Sequence, residues 1–245
     1  MAPLSPEAAL EKMSAWMSQL YGERLQSLLV YGSAANSAHH HTKRSDINLL
    51  AVLDHLDAAT LDQGAEAVRW WTAQGNPPLV MLSRDEQDEA ADVFPIEYLD
   101  IQANHRILVG RDPFAEVPRF PDLHRLQVEH ELRAKLLRLR GGYMALGNDA
   151  KSLEAMLLDS ASTFLTLFRH ALIARGEPLL TAKDEVLAAA SRYFGFPAEA
   201  FALVLAARRS GERLEGGKLE PLRALFARYL ASIHTVERSL ENHHA

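Results

Sequence analysis

Four residues within one stretch have the types and spacing to do chemistry together: Gly32 and Ser33, then Asp46 and Asn48, with Lys43 and Arg44 just ahead of the acid. A Gly-Ser pair that ends an apolar run can bring backbone N–H groups and one hydroxyl against a phosphate, because glycine has no Cβ to hold the ligand away. A helix starting near Ala34 would add its own free N–H groups to that anion site. Asp46 and Asn48 are two apart, so in an extended strand they face the same way. Side-chain oxygens beside a phosphate cradle suit Mg²⁺ (or Mn²⁺), which takes one or two carboxylates and completes its shell with phosphate oxygens. Lys43 and Arg44 would add positive charge for the phosphates, against the plainer reading of a solvated loop. The chemistry that these types support is phosphoryl transfer.

The elements that must position them are legible on either side. Leu28–Tyr31 and Ile47–Leu53 are short apolar runs that read as two buried strands of one sheet. Ser5-Pro6-Glu7 starts a helix, with Leu10, Met13, Met17 and Leu20 as its stripe. Leu61 to Ala73 reads as a helix stopped by Gly75-Asn76-Pro77-Pro78, Leu79–Leu82 as a third strand, and Ser83-Arg84-Asp85-Glu86 as the capped start of an acidic helix. Strands are expected near Pro95–Ile101 and Ile107–Val109. Three prolines within 111–121 mark a linker, and the remainder is helical in period: Leu123–Leu146, a stripe from Leu153 to Leu172, Ala182–Tyr193, Pro197–Arg209, and a last long helix through Leu222 and Val236. The expected fold class is α+β, with a mixed-sheet domain over 1–118 and a helical bundle over 119–245.

With these residues in view, the chain resembles the DNA polymerase beta-like nucleotidyltransferase superfamily, in its minimal and aminoglycoside-modifying branches. The resemblance rests on G-S at 32–33, on S-D-I-N-L-L at 45–50, on F-P-I-E-Y-L-D-I at 94–101 and on I-L-V-G-R-D-P at 107–113. It implies an enzyme that binds an NTP and Mg²⁺ and transfers a nucleotidyl group to an acceptor hydroxyl, the acceptor being chosen by the helical half. It also implies that Glu97, on a strand, is the third carboxylate, acting as metal ligand or base. Asp100, three residues on, would point to the opposite face of such a strand and is read as structural.

The chain departs from the family pattern in ways that bear on activity. Asn48 stands where the second metal-binding aspartate is expected, and an amide brings no charge and cannot bridge two metals as a carboxylate does. Ala34 and Asn36 replace the arginines of the family turn. A catalytically degenerate nucleotide-binding or protein-interaction module is therefore the alternative to an enzyme.

Composition narrows the rest. The 245 residues contain no cysteine, which removes disulfides, thiolate metal sites and thiol nucleophiles and suits a cytoplasmic protein. No apolar run is long enough to cross a membrane. Residues 1–121 carry 9 Lys+Arg against 17 Asp+Glu (net −8), and 122–245 carry 17 against 15 (net +2). No basic stripe stands out, so general nucleic-acid binding is not expected, while a homodimer is left open. His39-His40-His41 reads as a polar loop, since three consecutive histidines cannot all turn to one metal in regular backbone. Arg228-x5-His234, Arg125-x4-His130 and Arg119-x4-His124 match the R-x4–6-H pattern of the HEPN ribonuclease family, but so loose a pattern arises three times in one chain and is read as background.

Overall fold

Ser5 caps the first helix, its hydroxyl accepting the N–H of Ala8, and Pro6 occupies the first helical position. The computed structural model describes residues 4–35 and 46–241. Helix α1 (Pro6–Tyr21) leads into strand β1 (Leu25–Tyr31), and a short 3₁₀ turn over Gly32–Ala35 follows. Next come β2 (Asn48–Leu53), α2 (Ala58–Ala73), β3 (Val80–Ser83), α3 (Arg84–Glu89), α4 (Pro95–Ala103) and β4 (His105–Gly110). The sheet order is β3-β2-β1-β4. β1 lies antiparallel to both β2 and β4, while β2 and β3 are parallel, as two strands joined through a helix must be.

Alternation along the strands splits the apolar residues between two layers. Leu28, Val30, Leu49, Ala51 and Leu53 pack with α1 and α2 through Met13, Met17 and Trp71. Leu29, Leu50 and Val52 face the other way, into a smaller cluster with Tyr98, Ile101 and Phe114. Met13, Met17 and Trp71 are fully buried, the core role their helical spacing assigns them. Asp57 caps α2, and Ser83 with Glu86 forms a complete capping box at α3.

One expected element is of the wrong type. The segment read as a strand over 95–101 is the helix α4, which opens on Pro95 and buries Ile96, Tyr98 and Ile101. Proline at the first turn has no N–H to lose there and is already set for helical φ, and the Tyr98/Ile101 spacing of three repeats on a helix rather than a strand.

Contacts divide the chain into two compact units, Met1–Phe120 and Pro121–Ala245. Helices of the second unit are α5 (Pro121–Leu146), α6 (Ala150–Ile173), α7 (Lys183–Phe194), α8 (Glu199–Ser210) and α9 (Leu219–Glu241). Its core is aromatic: Phe168 and Phe201 meet at 5.1 Å, and Phe201 stacks on Tyr229 at 4.1 Å. The buried Tyr229 hydroxyl is bonded to Ser160 at 3.0 Å, and burial raises its pKa. No helix among the described residues is long and apolar enough to cross a membrane.

Candidate functional site

At the end of β1 the sheet presents one cross-strand row: Tyr31 is paired on one side with Asn48 and on the other with His105. By the two-residue alternation Asn48 shares the face of Leu50 and Val52, the face covered by α4. Gly32 follows at once with φ +76°, a left-handed conformation that turns the chain away from the strand. A Cβ built on Gly32 would sit 3.4 Å from Asn48 Nδ2, so the glycine corner and the Asn48 amide are in direct contact range.

Asn104 holds this corner. The Gly32 N–H donates to the Asn104 carbonyl at 3.0 Å, and Asn104 Nδ2 donates back to the Gly32 carbonyl at 2.7 Å. Gly32's own amide is thereby committed, so any phosphate-binding amides must come from the turn that follows it. That turn is 3₁₀ in type, where a helix from Ala34 was expected, and it is anchored from below by Ala34, which is buried in the α1/α2 core. Ser33 lies in the turn. Lys43, Arg44 and His39–His41 lie outside the described residues.

Asp46 is exposed just ahead of β2. The chain between it and Asn48 is fixed by the Ile47 N–H, which donates to Asn76 Oδ1 at 3.3 Å, and by burial of the Ile47 side chain. Of the two expected oxygen donors, Asn48 lies across from Gly32, and Asp46 lies two residues ahead of it on the same short segment.

Glu97 does not join them from a strand. It lies in the exposed first turn of α4, while the C-terminal end of that helix, at Asn104, is the end that touches Gly32. Seven residues of helix put Glu97 about 10 Å along the axis from Asn104. On a helix Asp100 is also on the same side as Glu97 rather than opposite to it. The strands after β2, Val80–Ser83 and His105–Gly110, carry no carboxylate. Among the described residues no group of three His, Asp or Glu is placed to hold a metal.

Tyr31, Asn104 and His105 are the residues of this corner that motif reading missed. Burial raises the Tyr31 pKa. His105 Nδ1 meets the Ile101 carbonyl at 2.7 Å, and Nε2 meets Asp112 Oδ1 at 3.1 Å. With both ring nitrogens engaged, the imidazole is a fixed strut and not a base open to substrate. The sequence signals for them were position alone: Tyr31 ends the Leu28–Tyr31 run, and Asn104 and His105 lie just ahead of the expected I-L-V-G strand.

Each histidine of the three R-x-H spacings meets a side chain other than the arginine of its own pattern. His234 is engaged by Arg140, with Nη2 2.6 Å from Nε2, and His124 is buried against His170 at 2.9 Å. His130 lies 3.6 Å from Glu131.

No protein-family model matches this chain, and neither does any curated protein. Among solved structures it is similar to spectinomycin adenyltransferase AAD(9) from Enterococcus faecialis, crystallised with ATP and spectinomycin. The TM-score is 0.58 at 14% identity, over 97% of this chain and 100% of that one. The fold of this chain, an α/β unit with a mixed sheet followed by helices, is thus similar to that of this adenyltransferase.

Proposed function

We propose that this protein is a nucleotidyltransferase in which the Gly32–Ser33 corner receives the triphosphate of an NTP and Asp46 with Asn48 holds the accompanying Mg²⁺ (or Mn²⁺). The observation that carries this reading is the left-handed Gly32 at the end of β1 with the Asn48 amide across it. The fold shared with an adenyltransferase supports it.

The donor set fits one ion. One carboxylate and one amide oxygen are a sparse pair, but Mg²⁺ in nucleotide sites takes the balance from phosphate oxygens and water. The residues do not fit a pair of metals, since Asn48 cannot bridge and Glu97 is on α4. When bound, the ion would neutralise charge on the phosphates. The chain's own share is positional: Asn104 fixes Gly32, Asn76 fixes Ile47, and the amides after Gly32 face the phosphates. In the reaction an acceptor oxygen forms a bond to the α-phosphorus as the bond to pyrophosphate breaks, and placement with charge stabilisation accounts for the rate. The acceptor is a hydroxyl-bearing small molecule or protein. Glu97 is outside the metal set in this scheme.

The second reading is a nucleotide-binding or interaction module with the same fold and no turnover. Asn48 and the lack of a three-acid group among the described residues favour it. Labelled NTPs with Mg²⁺ or Mn²⁺ and a panel of hydroxylated acceptors distinguish the two. The enzyme reading expects turnover by the wild type and by Glu97→Gln, abolished in Asp46→Ala. Wild type and Asp46→Ala equally inert, with turnover only in Asn48→Asp, would establish the module instead.

A further inference from the structure

About 16 Å back along β1 from Gly32, five residues at the strand's rise, a second recess opens on the α4 face beside Ser27. Its volume is about 480 Å³, within the range of small-molecule sites. Ser27 is among the residues that border it and is fully buried.

The charges on the wall are of both signs. Arg84 and Arg111 line it together with Asp88 and Glu116. Arg84 and Asp88 are one helical turn apart on α3, a spacing at which such residues commonly pair. Yet among the described residues no ion pair joins either arginine to either acid. The third acid of the wall, Asp112, is otherwise engaged, by His105 Nε2 at 3.1 Å and by the Phe114 N–H at 2.8 Å. Two guanidinium groups and two carboxylates thus border one cavity without neutralising each other. Guanidinium forks match a carboxylate in two-point geometry, and carboxylates take an ammonium.

We propose that this recess binds a small zwitterion of the α-amino-acid class, its carboxylate on Arg84 and Arg111 and its ammonium on Asp88 and Glu116. The site is separate from the Gly32 corner, and it stands or falls independently of nucleotide transfer.

The test is a thermal-shift panel on the full-length protein with each free α-amino acid, using acetate and methylamine as single-charge controls, followed by calorimetry on whatever shifts. At least one amino acid should raise Tm beyond both controls together. Its affinity should fall at least tenfold in Arg84→Met/Arg111→Met and in Asp88→Asn/Glu116→Gln. These arginines and acids are exposed, so their replacements keep the fold, and NTP binding should be unchanged in the two double variants. No shift beyond the controls with any amino acid would overturn the proposal. So would a shift by acetate equal to that by the best amino acid, or binding that survives both double variants.

Discussion

Replacing Gly32 with alanine separates the backbone argument from the functional one. At φ +76° an L side chain carries a steric cost of about 1–2 kcal/mol. The added Cβ would meet Asn48 Nδ2 at 3.4 Å, ordinary contact that contributes little more. The chain cannot relax out of this conformation cheaply, because Asn104 grips both the N–H and the carbonyl of Gly32. The expected loss is therefore about 1–2 kcal/mol, a factor of roughly 5–30 in the folding equilibrium. Gly195, which ends α7, supplies the control: its φ is +74°, and nothing lies within 4 Å of its added Cβ. Gly195→Ala should cost a similar amount. Urea midpoints at unchanged slope measure both losses, and titration with a fluorescent NTP analogue gives affinity. If Gly32 receives the triphosphate, Gly32→Ala weakens binding about tenfold or more, while Gly195→Ala leaves it unaltered in the folded protein. A Gly32→Ala loss under about 0.5 kcal/mol would refute the backbone reasoning. Equal NTP affinity in the two variants would remove the nucleotide from the corner.

Further tests follow from the packing and the site. Gly64→Ala inside α2 would ordinarily gain about 1 kcal/mol of helix propensity. Here the new Cβ would lie 2.3 Å from the Tyr21 hydroxyl, which donates to the Thr60 carbonyl, so a net loss of about 1–2 kcal/mol is expected, with recovery in Gly64→Ala/Tyr21→Phe. A raised urea midpoint for Gly64→Ala alone would contradict that. Desolvation, then Arg140, lowers the His234 pKa, against an opposing pull from Glu237 and with Arg238 adding to the lowering. The unfolded chain therefore takes up a proton near pH 6.5 while the folded one does not, and His234 supports stability above that pH and less as pH falls through the folded pKa. His234→Gln should flatten the pH dependence of Tm on the acid side; an unchanged slope would dismiss it. Mn²⁺ detected by electron paramagnetic resonance should bind the chain alone weakly and at least tenfold more tightly with a non-hydrolysable NTP, the gain being absent in Asp46→Ala. Tight binding of the metal without nucleotide would point to a ligand set other than Asp46 and Asn48.

Where a segment's local signals agree, the sequence was enough. Ser5-Pro6 and Ser83-x-x-Glu86 mark helix starts with side chains that cap the backbone themselves, and the structure has both caps. The two apolar runs around Gly32 form adjacent antiparallel strands for the same reason, since their alternation has to supply two separate layers. Residues 95–101 went wrong because Ile96 and Tyr98 alternate like a strand, while Pro95 and the Tyr98/Ile101 step argue for a helix. In seven residues periodicity alone does not decide, and packing of Tyr98 against Phe114, at 5.1 Å, settles it. The grip of Asn104 on Gly32 was not legible, because it joins positions seventy-two residues apart through the β1–β4 pairing.

Asn48 and the location of Glu97 are two aspects of one property, a site poor in fixed negative charge. A corner with three converging carboxylates would hold a metal before nucleotide arrives, at the cost of mutual repulsion among the acids in the empty state. Here the cross-strand row beside Gly32 holds no carboxylate: it has an amide at Asn48, a half-buried phenol at Tyr31 and a histidine whose ring is tied at both nitrogens, with Asp46 two residues ahead of Asn48. Under the proposed function the triphosphate itself would bring most of the charge that attracts the ion, so metal and nucleotide would enter as one unit. Such a site would depend on the rigidity of its backbone more than on its acids, and under that proposal the Asn104 clamp, and not Glu97, is the feature on which the corner turns.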